Sequence, residues 1–327
     1  MTIKKYFITN ILVLLTFGIA NAQLKYLWNS QLRKVYKPHS SISFGLGTSH
    51  FYGTSSPYGN PIGSTINSLR WHTGISWTRH FSPKTNFRVN FNWVRLGSDD
   101  AALKSSEKYK LSYLRNSHFR NDVKELSFVA IHNFKPENRN TKIRSNNIPY
   151  IFTGLAFLLH NPTAKTSPEF GAKWVDLQPL KTEGQGLGGN PETPYKLFSG
   201  AFMLGLGLKK KLSNKIDLGI ESCFRLPFTK YLDDIAIAQA DPNLFTDPLA
   251  KTMSNRSLEP TEARTGKDRT VRVTEILVQN GSIAPGVDPF TNPIPVPNNR
   301  YTTKIPDTYL TVGISFIYHL SPSIKCY

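Results

Sequence analysis

Eight stretches of this chain alternate apolar and polar residues, and the connections between them alternate strictly between long and short. The stretches are Ser41–Tyr52, Leu69–Phe81, Phe87–Leu96, Val123–Phe134, Ile148–His160, Ala201–Leu212, Ile216–Lys230 and Tyr309–Leu320. About 16, 5, 26, 13, 40, 3 and 78 residues separate them. A period of two is the strand pattern, because successive side chains point to opposite faces. A soluble sandwich has no reason to put every long connection at one end. A membrane barrel does, with short periplasmic turns, long extracellular loops, an even strand count and both termini inside. The predicted fold is all-β: an up-and-down antiparallel eight-stranded transmembrane β-barrel with long extracellular loops at 161–200 and 231–308. The competing architecture is a lipid-free β-sandwich whose Trp and Phe rows form a dry core.

The faces can be read on most strands. Leu69, Trp71, Ile75, Trp77 and Phe81 share one side of the second, with Arg70, His72, Ser76 and His80 on the other. Phe87, Val89, Phe91 and Trp93 oppose Arg88, Asn90 and Asn92 on the third. Leu310, Val312, Ile314, Phe316 and Tyr318 oppose Thr311, Gly313 and Ser315 on the last. The fifth, IFTGLAFLLH, is apolar on both sides and cannot be assigned. Within 231–308, Thr270–Gln279 (TVRVTEILVQ) reads as one more strand, as wall above the membrane or part of a loop hairpin.

The N-terminus explains the charge. Lys4 and Lys5 precede a short apolar run, Ile11–Ala20, and an Ala20-Asn21-Ala22 cleavage site, the three parts of a secretory signal. Residues 1–22 are therefore expected to be removed, leaving 23–40 as a periplasmic segment, 41–322 as the barrel and 323–327 as a periplasmic tail. The chain carries 40 Lys+Arg against 22 Asp+Glu. In an exported protein that excess points to lipid phosphates, anionic glycolipid or an acidic protein face, with outer-membrane lipid as the expected partner, and not to nucleic acid. The two cysteines, Cys223 and Cys326, fall far apart along the barrel axis, beyond the ~7 Å a disulfide allows, and are expected to be free thiols.

Inward-facing charges would have to be paired in a narrow, partly dry lumen. The inferred set is Arg70, His72, Arg88, Asn90, Asn92, Glu125, Glu221 and Arg225. Either these form a Glu/Arg ladder that closes the lumen, or they sit near the rims in water. A diffusion pore needs roughly 16 strands. A lipid-modifying rim enzyme would draw on His50, His118 or His160 with Asp233 or Asp234, yet no spacing singles out a triad, and two adjacent carboxylates fall short of a calcium site. Glu183–Gly189 (EGQGLGG) lacks the Lys-Ser/Thr of a phosphate loop and reads as a tightly packed loop with positive φ at its glycines. No catalytic residue, cofactor or metal is expected.

Several loop segments carry a family resemblance. Pro149–Ala164 (PYIFTGLAFLLHNPTA), Trp174–Leu187 (WVDLQPLKTEGQGL), Leu206–Glu221 (LGLKKKLSNKIDLGIE) and Phe228–Ala236 (FTKYLDDIA), continued by Met253–Ser257 and Asp307–Leu320, together resemble the Bacteroidota outer-membrane barrel family that includes PorG, the barrel component of the type IX secretion machinery. The resemblance implies a non-enzymatic outer-membrane barrel that associates with the periplasmic lipoprotein-containing ring of that system. It marks Trp174, Gln178, Glu183, Gly184, Gln185, Gly186, Tyr231, Asp233 and Asp234 as family loop positions without an assigned role. A paralogue of different role, a rim enzyme and a small-solute channel are the alternatives.

Overall fold

Consecutive strands pair with one another and the first pairs with the last, so that the sheet has no free long edge. This is seen in a computed structural model of the chain, which describes residues 36, 38–137, 145–188, 192–236, 240–291 and 306–320. The predicted signal segment 1–22, Cys326 and the tail 323–327 lie outside the described residues, as does all of 23–35. The barrel strands are β1 His39–Tyr52, β2 Arg70–His80, β3 Thr85–Asp99, β4 His118–Asn133, β5 Asn147–Leu159, β8 Phe198–Lys211, β9 Ile216–Pro227 and β10 Thr308–His319. Two short strands, β6 Pro162–Lys165 and β7 Trp174–Asp176, extend the wall beside the outer end of β4. All the pairings are antiparallel, and β1 with β10 closes the ring, Phe44 opposite Phe316 and Gly47 opposite Gly313.

All eight predicted barrel strands are present, and β3 and β4 run further than their alternation suggested. Their outer ends stay paired up to Asp99 opposite His118. There an Arg95–Asp122 ion pair at 2.6 Å lies on the wall, while Leu96 and Phe119 are buried inside. Residues 81–84, 134–146 and 212–215 connect strands at one end, which also holds His39 and His319. Residues 53–69, 100–117, 160–197 and 228–307 connect them at the other. The length asymmetry sets the first end in the periplasm.

The outward faces form a continuous apolar belt. Ile42, Phe44 and Leu46 on β1, Trp71, Ile75 and Trp77 on β2, Phe91 and Trp93 on β3 and Leu126 and Phe128 on β4 are all exposed. Leu155 and Phe157, Leu204 and Leu206, Ile220, and Ile314 and Phe316 carry the belt around β5, β8, β9 and β10. A monomer in water seldom exposes more than a few hundred Å² of contiguous apolar surface; a barrel in lipid must. Trp71 and Trp93 meet edge-on with centroids 5.4 Å apart, and the Arg95 guanidinium lies over Trp71, an arrangement suited to the headgroup level. No helix among the described residues is long and apolar enough to cross a membrane.

Two expectations are corrected. Thr270–Gln279 is an α-helix, not a strand. Its Val273, Ile276 and Leu277 are buried against Leu103, Tyr113 and Leu114, a spacing of three and four that only a helix puts on one face. Tertiary burial of that stripe outweighs the β-branched propensity of Thr270, Val271 and Val273. With β1–β10 in place, the short helices in the outer loops are α1 Pro61–Asn67, α2 Lys110–Arg115, α3 Pro248–Ser254 and α4 Thr270–Gln279. The undecided faces of β5 are also resolved: Ile148, Tyr150, Phe152, Ala156 and Leu158 are buried inside, whereas Leu155, Phe157 and Leu159 face out. The second correction, Arg70, concerns the lumen and follows with it.

The belt makes adjacent residues of β3 unequal. Phe91→Arg places a charge on the lipid face and should cost roughly 2–4 kcal/mol near mid-membrane, whereas Asn90→Asp, pointing inward, should be mild. Heat-modifiable migration of the refolded barrel on unboiled gels checks this: the folded band should be lost or weakened for Phe91→Arg alone.

Candidate functional site

The lumen is filled from two sides. On β5 and β8 it is apolar and aromatic. Gly205 and Gly207 leave room for the rings of Phe152 and Tyr150, where an added Cβ would come within 2.2 and 2.3 Å of them. On the other strands it also carries polar side chains, and its charges are paired. The Arg88 guanidinium donates to both oxygens of Glu221 and lies over the Phe152 ring. Tyr150 donates to the same carboxylate at 2.5 Å. One step up the barrel, Arg225 donates to Glu125 at 2.6 and 3.2 Å, to Thr311 Oγ1 at 2.6 Å and to the Cys223 carbonyl. Glu125 also accepts from Tyr309 at 2.8 Å and from Asn92 at 2.7 Å, and Asn90 donates to Ser127.

Four of the five charged lumen candidates are thus joined in two adjacent ion pairs. The fifth is not. Arg70 sits at the outer end of β2, where it donates to the Asn67 and Leu69 carbonyls, so it caps a loop instead of extending the ladder. His72 faces inward and touches the Thr48 carbonyl at 3.1 Å. Cys223 is buried in the lumen as a free thiol. A void beside Arg88, Asn90 and Asn92 is about 70 Å³, room for a few waters.

Above the ion pairs, the outer mouth is stoppered by the chain itself. Leu232 is fully buried among Phe51, Leu96, Phe119 and other lumen side chains, and Asn121 donates to its carbonyl at 2.9 Å. The flanking carboxylates hold this segment down. Asp233 accepts from the Ser55 amide and hydroxyl at 3.2 and 2.9 Å. Asp234, in the left-handed region at φ +66, accepts from Thr182 at 2.5 Å and from Tyr195 at 2.7 Å. Asp307 accepts from the Leu232 amide at 2.9 Å, and Glu183 from the Ala236 amide at 2.9 Å.

The loop positions marked by the family resemblance converge here. Tyr231 stacks on Tyr195 with centroids 4.4 Å apart, and Gln178 donates to the Tyr195 carbonyl. Gly184 and Gly186 take φ of +74 and +70, as a tight glycine loop requires, and Gln185 is buried beside them. Trp174 lies further out, edge-on to His118 and under the Arg120 guanidinium. Sequence reasoning missed Leu232, Tyr195 and Asp307. The last was readable only as the start of a resembling segment, since a lone Asp before a strand carries no signal of its own.

Burial shapes the acidity of this cap. It pushes Asp233 up to about 6 and Asp307 well above the usual carboxylate range, with the facing Asp233 charge adding to the rise. Tyr231 is pushed up to about 12 by burial and by the Glu183 charge. The three histidines are dispersed. His50 contacts Thr48 and the Thr65 carbonyl; His118 receives the Lys165 amide; His160 stacks on Tyr195 and is pushed down to about 4 by burial. None of the three is hydrogen-bonded to a carboxylate among the described residues, so none of them is paired there with an orienting acid.

Removing one partner of a buried ion pair strands the other. Glu125→Ala should therefore lose about 3–5 kcal/mol in urea unfolding of the lipid-refolded barrel, and the double replacement Glu125→Leu with Arg225→Met should recover most of it. The cap should respond to pH. Because the folded state raises Asp233 from its ordinary value near 4 to about 6, it binds more protons than the unfolded chain between those values. The associated stability is complete below about 4 and lost as pH rises through about 6. Limited proteolysis of the outer loops should be slower at pH 5 than at pH 7.5, and Asp233→Asn should flatten the difference.

Residues 40–167 match the sequence profile of a domain of unknown function, DUF6089. No curated protein matches the chain. Among solved structures it is similar to Neisserial surface protein A, at 8% identity and a TM-score of 0.35 over 86% of this chain and 99% of that one. It is similar to the attachment invasion locus protein Ail of Yersinia pestis, at 9% identity and 0.35 over 87% and 100%. The N-terminal β-barrel domain of Pseudomonas aeruginosa OprF is a third, at 8% identity and 0.31 over 86% and 100%. These likenesses are ones of fold only; the outer-membrane type of eight-stranded barrel stands on the strand pairing and the apolar belt.

Proposed function

We propose that the protein is a non-enzymatic, closed outer-membrane barrel that serves as an anchor or assembly component of a type IX protein secretion machinery, binding the periplasmic lipoprotein ring of that system. The observation that carries the structural half is occlusion. Two ion pairs cross the lumen and Leu232 stoppers the mouth, which favours a scaffold over a conduit. The secretion half is supported by the resemblance, whose segments Trp174–Leu187 and Phe228–Ala236 are the ones that build the cap. The dispersal of His50, His118 and His160 favours a role without catalysis.

Deletion of the gene is expected to abolish or reduce release of surface proteins, and mild-detergent purification of the tagged barrel should recover a periplasmic lipoprotein. Unchanged secretion after deletion refutes the secretion half while leaving the barrel intact. In planar bilayers the purified protein should give no steady currents of open-porin size; such currents would refute the occluded lumen.

A further inference from the structure

The periplasmic end of the barrel holds a buried histidine cluster that the function above does not use. His39 begins β1, His80 ends β2 and His319 ends β10. In the register His39 lies directly opposite His80, and His319 is opposite Ser41, two residues along β1. All three rings face inward and are no more than 4% exposed. A ring nitrogen of each lies within 4.8 Å of the others'. Glu137, just beyond β4, and Asp217 on β9 place carboxylate oxygens within the same distance of His319.

The hydrogen bonds assign the ring nitrogens. His80 Nε2 is 2.9 Å from Ser41 Oγ, while its buried Nδ1 has no hydrogen-bond partner and points toward Glu137 Oε2 at 3.7 Å. His319 Nε2 is held by Asp217 at 2.8 Å, which turns its Nδ1 to within 3.3 Å of His39 Nε2. Two nitrogens bound to one tetrahedral zinc at 2.0–2.1 Å would be about 3.3 Å apart. The carboxylate behind His319 is the usual support of a metal-bound imidazole. Lys209 donates to Glu137 at 2.8 Å. His39 and His80 are stacked with centroids 4.3 Å apart, so one ring must turn about χ2 to complete the set.

We infer that His39, His80 and His319 form a binding site for a divalent transition metal of the zinc class, with Asp217 orienting His319. Imidazole ligands select this class over calcium or magnesium. The site joins β10 to β1 and β2, so a bound ion staples the seam where the first and last strands close the barrel, and binding couples to closure.

The test uses the full mature chain refolded in detergent, stripped with EDTA and titrated with Co²⁺ as a spectroscopic probe and with Zn²⁺ in competition. One equivalent of Co²⁺ should give the intense visible bands of a four-coordinate site, displaced by Zn²⁺. His80→Gln and His319→Gln, checked for the heat-modifiable folded band, should each weaken binding by at least about tenfold, while His132→Gln, on the outward face of β4, should not. Zn²⁺ should raise the temperature at which the wild-type folded band converts. Absence of stoichiometric binding by folded wild type, a weak six-coordinate spectrum, or folded His80 and His319 variants that bind as wild type would each overturn the site. A conversion temperature unaffected by Zn²⁺ would overturn the staple. The wild-type titration decides the question even if a variant fails to fold.

Discussion

Backbone hydrogen bonding in lipid is the constraint from which the rest of this structure follows. Hydrocarbon offers no partner for an amide or a carbonyl, so a sheet that crosses it must close. Here the β1–β10 pairing from Ser41 opposite His319 to Tyr52 opposite Thr308 completes the ring. Closure with eight strands in turn fixes the inner radius, and a barrel of that size has room for side chains and little more. The outer belt of Trp, Phe and Leu is the complementary consequence, since one face of every strand is left to solvate itself in lipid.

A narrow lumen imposes its own bookkeeping on the inward residues. Charges placed there lose water and must find partners, which is why Arg88 meets Glu221 and Arg225 meets Glu125. Arg88 bonds both oxygens of Glu221, Arg225 bonds Thr311 and a carbonyl as well as Glu125, and both lie over an aromatic ring. The opposite wall solves the same space problem without charge, with Phe152 and Tyr150 seated over Gly205 and Gly207. The two halves interlock across the axis through Tyr150 on Glu221.

The outer end shows how a long loop can be structural. Residues 228–236 turn back into the mouth, where Asp233 and Asp234 tie them to Ser55, Thr182 and Tyr195 of two other connections and the Leu232 amide donates to Asp307. Burial raises the proton affinity of Asp233 and Asp307, so the clasp is coupled to pH. Further out, α4 packs its Val273, Ile276 and Leu277 stripe on Leu103, Tyr113 and Leu114, and the buried Arg269 donates to the Tyr113 and Leu114 carbonyls. The loops therefore support one another above the membrane.

What the sequence determined by itself was the pattern that has period two. Strand number, which residues of β2, β3 and β10 face lipid, and the side on which long loops gather all follow from alternation and spacing, because both are local properties of an extended chain. Tertiary structure decided everything in which distant residues compete for one space. The faces of β5 were undetermined because both are apolar, and only closure showed which lines the lumen. Thr270–Gln279 became a helix because a neighbouring loop offered a surface to its i, i+3, i+4 stripe. Arg70 left the ladder because its strand begins one step above the paired carboxylates. The cap and the periplasmic histidines were illegible for the same reason: Asp233 and Asp307, or His39, His80 and His319, are far apart along the chain and meet only when the first strand closes on the last.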